Sequence, residues 1–137
     1  MVRKEVLRKR LNKLDEHLEI LRRLQRYDFE TFINDPEHYG SAERFLHLTI
    51  EALTDIGNHI IADLALGTVN SYRDIPEILA EREYIEPELA ATWIKMIGFR
   101  NVLVHEYLDI DRRIVYDILQ TRLRDFETLQ RVFAQFL

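Results

Sequence analysis

The sequence predicts an all-α protein, an up-and-down bundle of four main helices with one or two short ones. Three observations lead there. Gly and Pro are scarce, four and three in 137 residues. Apolar residues recur at steps of three and four nearly everywhere. No stretch alternates apolar and polar in the way a half-buried strand requires. The length suits one helical domain spanning 1–137, long enough to bury one hydrophobic core.

Leu7, Leu11, Leu14, Leu18 and Leu21 place one apolar stripe on a first helix, widened by Ile20 and Leu24 to the breadth a globular core needs. Asp28 is positioned to cap a short helix through Phe29, Phe32 and Ile33, with Asn34-Asp35-Pro36 ending it. Ser41 then reads as the cap of a long helix that buries Leu46, Ile50, Leu53, Ile56, Ile60 and Leu64, with Gly67 just past its end. Asp74 with Pro76 opens a short helix carrying Ile75, Ile78 and Leu79. Pro87 opens another with Leu89, Trp93, Met96 and Ile97 inward. Asp109 or Asp111 caps a last helix whose Ile114, Ile118, Leu123, Phe126, Leu129, Val132, Phe133 and Phe136 run to the C-terminus.

Cysteine is absent, so disulfides, thiolate zinc sites and cysteine nucleophiles are excluded. The basic N-terminus is not followed by an apolar stretch, and Ile60–Leu66 is cut by Asp63. The expectation is a soluble, cytoplasmic protein with no membrane partner. The net charge of −5 is unevenly spread. Residues 1–26 carry nine Lys/Arg against four Asp/Glu, whereas residues 27–99 carry four against fourteen. That argues against a general nucleic-acid coat but leaves room for one local basic surface. His59 with Asp63 has i, i+4 spacing, but no further ligand converges on it, so neither a metal nor another cofactor is expected.

The segment from Phe99 to Tyr107 stands out. Arg100, Asn101, His105 and Tyr107 set a guanidinium, an amide, an imidazole and a phenol into an otherwise apolar stretch. Arg suits bidentate phosphate binding, and His suits proton transfer near neutral pH. On one straight helix Arg100 and Tyr107 would lie within ~20°, and His105 ~140° from Arg100. Either the helix breaks near this segment, or the residues meet counterparts across a two-fold axis. Structural roles stand beside the chemical ones. Arg100 suits a structural ion pair with Asp109, Asp111 or Asp55, His105 suits a satisfied core position, and Tyr107 suits a packed aromatic.

Arg, four residues, His, one residue, Tyr resembles the signature of HepT-like proteins among the HEPN (higher eukaryotes and prokaryotes nucleotide-binding) domains. The flanking GFRNVLVHEYLDID is similar almost residue for residue, and so are IEALTDIGNHIIADLALG at 50–67, SYRDIPEILAE at 71–81 and ELAATWIKMIGFRN at 88–101. The resemblance implies a HEPN-like helical homodimer with a composite site at its interface, acting as a metal-independent endoribonuclease. It further implies a toxin paired with a minimal nucleotidyltransferase antitoxin, which silences it by AMP transfer. On that basis Arg100 and His105 form the catalytic pair and Tyr107 is the AMP acceptor. Asp55 is the best match for a polar residue on an earlier helix facing the motif, with Asn58 and His59 as alternatives and Asn101 as a further supporting group.

The chemistry agrees. RNA carries its own nucleophile, the 2′-hydroxyl, beside the phosphodiester it attacks. His105 suits general acid–base work there, and Arg100 suits stabilising the transition-state charge. An alternative from another class is a non-catalytic nucleotide- or RNA-binding module, or an adaptor for a nucleotidyltransferase.

Overall fold

The computed structural model describes the backbone of residues 1–137 and every side chain except that of Tyr107. Seven α-helices and one 3-10 turn occur among the described residues, with no strand. They are α1 (Lys4–Leu24), α2 (Phe29–Asn34), α3 (Pro36–Asp63), α4 (Asp74–Glu81), α5 (Pro87–His105), the turn Tyr107–Asp109, α6 (Arg112–Thr121) and α7 (Leu123–Ala134). None of the helices is long and apolar enough to cross a membrane.

The leucine stripe of α1 is buried as expected, from Leu7 through Leu24. It packs on α3, which is the hub of the bundle and also meets α2, α4, α5, α6 and α7. A helix covered on several sides must be apolar beyond one narrow stripe. Accordingly α3 buries Leu46, Ile50, Leu53, Ile56, Ile60 and Ile61, together with Ala42, Thr49, Thr54 and Gly57. Gly57 is a packing requirement. A Cβ there would stand 2.7 Å from Ile75 Cγ2 and 2.9 Å from Trp93 Cη2, so α4 and α5 close on α3 only because Gly57 lacks a side chain. Trp93 is buried beside it, and its indole N–H donates to Thr54 Oγ1 at 3.2 Å. Thr54 Oγ1 in turn donates to the Ile50 carbonyl at 2.8 Å. Both polar groups are therefore satisfied in the core.

Three boundaries differ from expectation. Helix α3 does not start at Ser41. It starts at Pro36, where Asp35 accepts from the Glu37 amide at 2.9 Å. The Asn34-Asp35-Pro36 stop is thus also a start, because Pro tolerates the first helical turn and its residue before favours extended backbone. Gly67 does not terminate α3. The helix ends at Asp63, and Ala65 takes the left-handed position (φ 52°). The Leu66 amide returns to the Ile61 carbonyl at 3.0 Å, a Schellman closure with alanine where glycine is usual. Glu83 plays the same part after α4, at φ 65°. Finally, the last helix is two. The chain turns at Arg122 (φ −112°, ψ −4°), and each half presents its own buried face, Val115 and Leu119 on α6, then Leu123, Phe126, Leu129 and Phe133 on α7. The Asp111 cap sets the phase so that Val115 points inward, and Ile114, expected inside, is 49 % exposed.

Candidate active site at the end of helix α5

Helix α5 enters at Pro87, buries Ala90, Trp93, Met96, Ile97 and Leu103, and stops at His105. It continues without interruption through both Arg100 and His105. The ~140° between them is therefore kept, and the two side chains leave α5 on different faces. The break that the spacing allowed near this segment comes only after His105, so it does not bring Arg100 and His105 onto one face. Glu106 (φ −124°, ψ 32°) ends the helix and leads into the Tyr107–Asp109 turn. Tyr107 therefore does not continue the Arg100 face of α5, contrary to the helical-wheel expectation. Its side chain lies outside the described residues, and with it the expected acceptor hydroxyl.

Arg100 points at α3. Its side chain is 17 % exposed and pairs through Nη2 with Glu51. Nη1 donates to Asn101 Oδ1 at 3.1 Å, and the guanidinium carbon stands 5.7 Å from the Tyr72 ring centroid. Nε is buried without a hydrogen-bond partner among the described residues. The pairing expected with Asp109, Asp111 or Asp55 is made by Glu51 instead. One turn before it, His47 Nε2 lies 3.4 Å from the other Glu51 oxygen, at ion-pair distance but not in hydrogen-bond geometry. Burial opposes ionisation of Glu51, but the Arg100 guanidinium and His47 outweigh it and hold the carboxyl below its ordinary range. Glu51 escaped the sequence reading. The signal was present in the polar series His47, Glu51, Asp55 and Asn58, spaced four, four and three along an otherwise apolar helix.

Asp55 lines the same cleft as Arg100, as does Asn58. Its carboxylate, however, is engaged by Arg10 of α1 and lies 3.7 Å from His59 Nε2. Arg3 reaches across to Asp63 at 3.2 Å and contacts His59 Nδ1 at 3.3 Å. Two members of the N-terminal basic cluster thus clamp α1 onto α3, and Asp63 is taken by Arg3. Burial, then Arg10 and Arg3, push the His59 imidazole below its usual range, against the opposing pull of Asp63.

His105 is exposed at the last position of α5, so it is not a core histidine. Ala91 and Gly98 are exposed and Ile94 and Val102 half-buried; at ~100° per residue they share its face. A Cβ added to Gly98 would meet nothing within 4 Å. Asn101 is likewise exposed.

A family description reading "Ribonuclease HepT-like" matches residues 14–132. The chain belongs to the HepT-like ribonuclease family. It is 34 % identical over 119 residues to the mRNA nuclease HepT of Shewanella oneidensis, covering 85 % of this chain and 90 % of that one. It is 28 % identical over 134 residues to the tRNA nuclease HepT of Aphanizomenon flos-aquae, covering 96 % and 90 %. Among solved structures, a tri-AMPylated Shewanella oneidensis HEPN toxin in complex with an MNT antitoxin superposes with a TM-score of 0.87 at 28 % identity, covering 95 % of this chain and 97 % of that one. A toxin–antitoxin crystal structure with AMP-PNP gives a TM-score of 0.85, also at 28 % identity, covering 93 % and 97 %. The HepT-like fold is therefore shared over nearly the whole chain, and the Arg-His-Tyr segment lies inside the matched region.

Proposed function

We propose that this chain is an endoribonuclease toxin that cleaves RNA without a metal, and that its partner antitoxin silences it by transferring AMP to Tyr107. The observation that carries the reading is the end of α5. Arg100 is held in a cleft on one face, and His105 is exposed on another, beside exposed Ala91 and Gly98 and half-buried Ile94 and Val102. The nuclease names of the relatives and the toxin–antitoxin complexes of the structural neighbours support it.

The small and apolar residues around His105 suit close approach of a second α5. A two-fold pairing there would bring two Arg100–Tyr107 segments into one groove. In that groove the 2′-oxygen of RNA attacks phosphorus as one His105 removes its proton. The bond from phosphorus to the 5′-oxygen breaks as a second imidazole supplies a proton to the leaving group. The products are a 2′,3′-cyclic phosphate and a 5′-hydroxyl. General acid–base help of this kind is worth roughly 10²–10⁴-fold. Arg100 exchanges Glu51 for the phosphate and stabilises its developing charge. Asn101, donor and acceptor at once, orients the guanidinium. Asp55, tied to Arg10, and Asn58 frame the cleft.

AMP on Tyr107 would bring a phosphate for an Arg to capture and a nucleoside to fill the groove, blocking RNA by charge and by volume. Co-expression with a minimal nucleotidyltransferase antitoxin, followed by intact-mass analysis, tests that step. One or more added AMP units on Tyr107, absent from Tyr107→Phe, are expected. Modification confined to Tyr72 or Tyr116 would reject it.

A further inference from the structure

The cleft beside Arg100 holds more than phosphate recognition requires. It encloses about 460 Å³, within the roughly 300–1,000 Å³ typical of pockets that take a small ligand. Glu51, Asp55 and Asn58 of α3 form one wall, and Tyr72 and Arg100 face them. Apart from the Arg100 guanidinium beside the Tyr72 ring, two of these groups, Tyr72 and Asn58, have no side-chain hydrogen-bond or ionic partner among the described residues. Tyr72 is 54 % exposed, although its neighbour Ile75 is buried. The Asn58 side-chain amide is exposed and makes no hydrogen bond among the described residues. The segment carrying Tyr72 is nevertheless well anchored. The Asp74 carboxylate accepts from the Asn70 amide at 2.8 Å and the Ser71 amide at 3.0 Å, which fixes the backbone just before the ring.

The charges in the cleft select its occupant. Once Arg100 turns to a phosphate, Glu51 is a free carboxylate that repels a second phosphate from the interior yet accepts readily from the N–H groups of a neutral base, while Asp55 stays tied to Arg10. Arg100, at the edge of the same cleft, attracts the phosphate. We propose that this cleft is a nucleobase subsite, in which an unstacked base of single-stranded RNA lies on Tyr72 while Arg100 holds the adjoining phosphate. Asn58 meets the base edge with a donor and an acceptor side by side. The inference rests on the ribonuclease reading above and names its substrate class. A base inside a duplex has both faces covered and cannot reach the ring, so the subsite selects single strands, loops and ends. One base–aromatic stack changes affinity by roughly 5- to 150-fold.

The test uses a short fluorescein-labelled RNA with 2′-O-methyl groups throughout, which lacks the attacking hydroxyl and cannot be cleaved. Its affinity is measured by fluorescence anisotropy, alone and annealed to its complement, for the unaltered protein, Tyr72→Phe and Tyr72→Ala. Circular dichroism checks that the variants fold. Tyr72→Ala should weaken single-strand binding at least ~5-fold, Tyr72→Phe should stay within about twofold, and duplex binding should not distinguish the three. Single-strand affinity unchanged in Tyr72→Ala, or lost equally on the duplex, would overturn the subsite. Because the oligonucleotide is inert, this outcome is separable from the failure of the parent reading. A protein that cleaves no natural RNA, yet loses single-strand affinity in Tyr72→Ala, would sink the ribonuclease and keep the subsite.

Discussion

Arg100 illustrates how a residue can stand out in a sequence while its partner goes unseen. Its guanidinium stands out in an apolar segment, but the carboxylate that holds it comes from Glu51, one helical turn from the Asp55 that sequence reasoning favoured. Both carboxylates lie on one strip of α3, and which of them meets Arg100 depends on how far α5 slides along that strip. That is a tertiary quantity, set by the contact of Gly57 with Trp93. His105 was more legible, because its phase relative to Arg100 follows from helix geometry alone. Another imidazole reports on stability. His17 lies buried within the α1 stripe, 5.7 Å from the Phe45 ring between centroids. Burial, then Lys13, lowers its pKa, with Arg44 adding and Glu16 opposing. Its folded value lies below the ordinary 6.5 of an imidazole, so the unfolded chain takes up the proton first. Its contribution to stability is therefore present above that pH and lost as the pH falls through the folded value. Thermal unfolding at pH 7.5 and 5.5 should show a smaller acid loss in His17→Leu than in the unaltered protein. An equal loss would place the acid sensitivity elsewhere.

The helices themselves were largely readable, since caps and prolines act locally. Asp28 and Asp111 cap as expected, accepting from Thr31 and Arg113 at 2.8 and 2.9 Å, and Pro87 opens α5. The ends that were misread are those where tertiary packing overrides local preference. Ala65 and Glu83 occupy left-handed positions that glycine would fill at lower cost, so no glycine announces those turns. The turn at Arg122 lies in a stretch without Gly or Pro, where only the change of buried face marks it. Gly57 carries the opposite lesson, being a glycine inside a helix that no turn requires. Gly57→Ala should destabilise the protein by about 1–3 kcal/mol, despite alanine's better helix propensity, because the added methyl group meets Ile75 and Trp93. Denaturant titration measures this directly. A stabilised variant would mean that α4 and α5 can move back without loss.

At the scale of the whole molecule, the all-α architecture followed from composition and periodicity, whereas the role of α3 as hub did not, because several helices share its apolar surface. The His105 face of α5 is where the proposed two-fold contact lies. Gly98 has open space around it, so Gly98→Glu leaves the fold of one chain intact while placing a charge in the proposed two-fold contact. Sedimentation should show a dimer for the unaltered protein and a monomer for Gly98→Glu, with RNA cleavage lost as well. An active monomer would remove the shared groove. The central claim is that Arg100 and His105 cleave RNA by themselves, and it is tested most directly by following a radiolabelled RNA in excess EDTA. The unaltered protein should cut it and leave 2′,3′-cyclic phosphate and 5′-hydroxyl ends. Arg100→Ala and His105→Ala, with unchanged circular dichroism and sedimentation, should each reduce cleavage by roughly 10²-fold or more. Undiminished cleavage by His105→Ala, or cleavage that EDTA abolishes, would contradict the account.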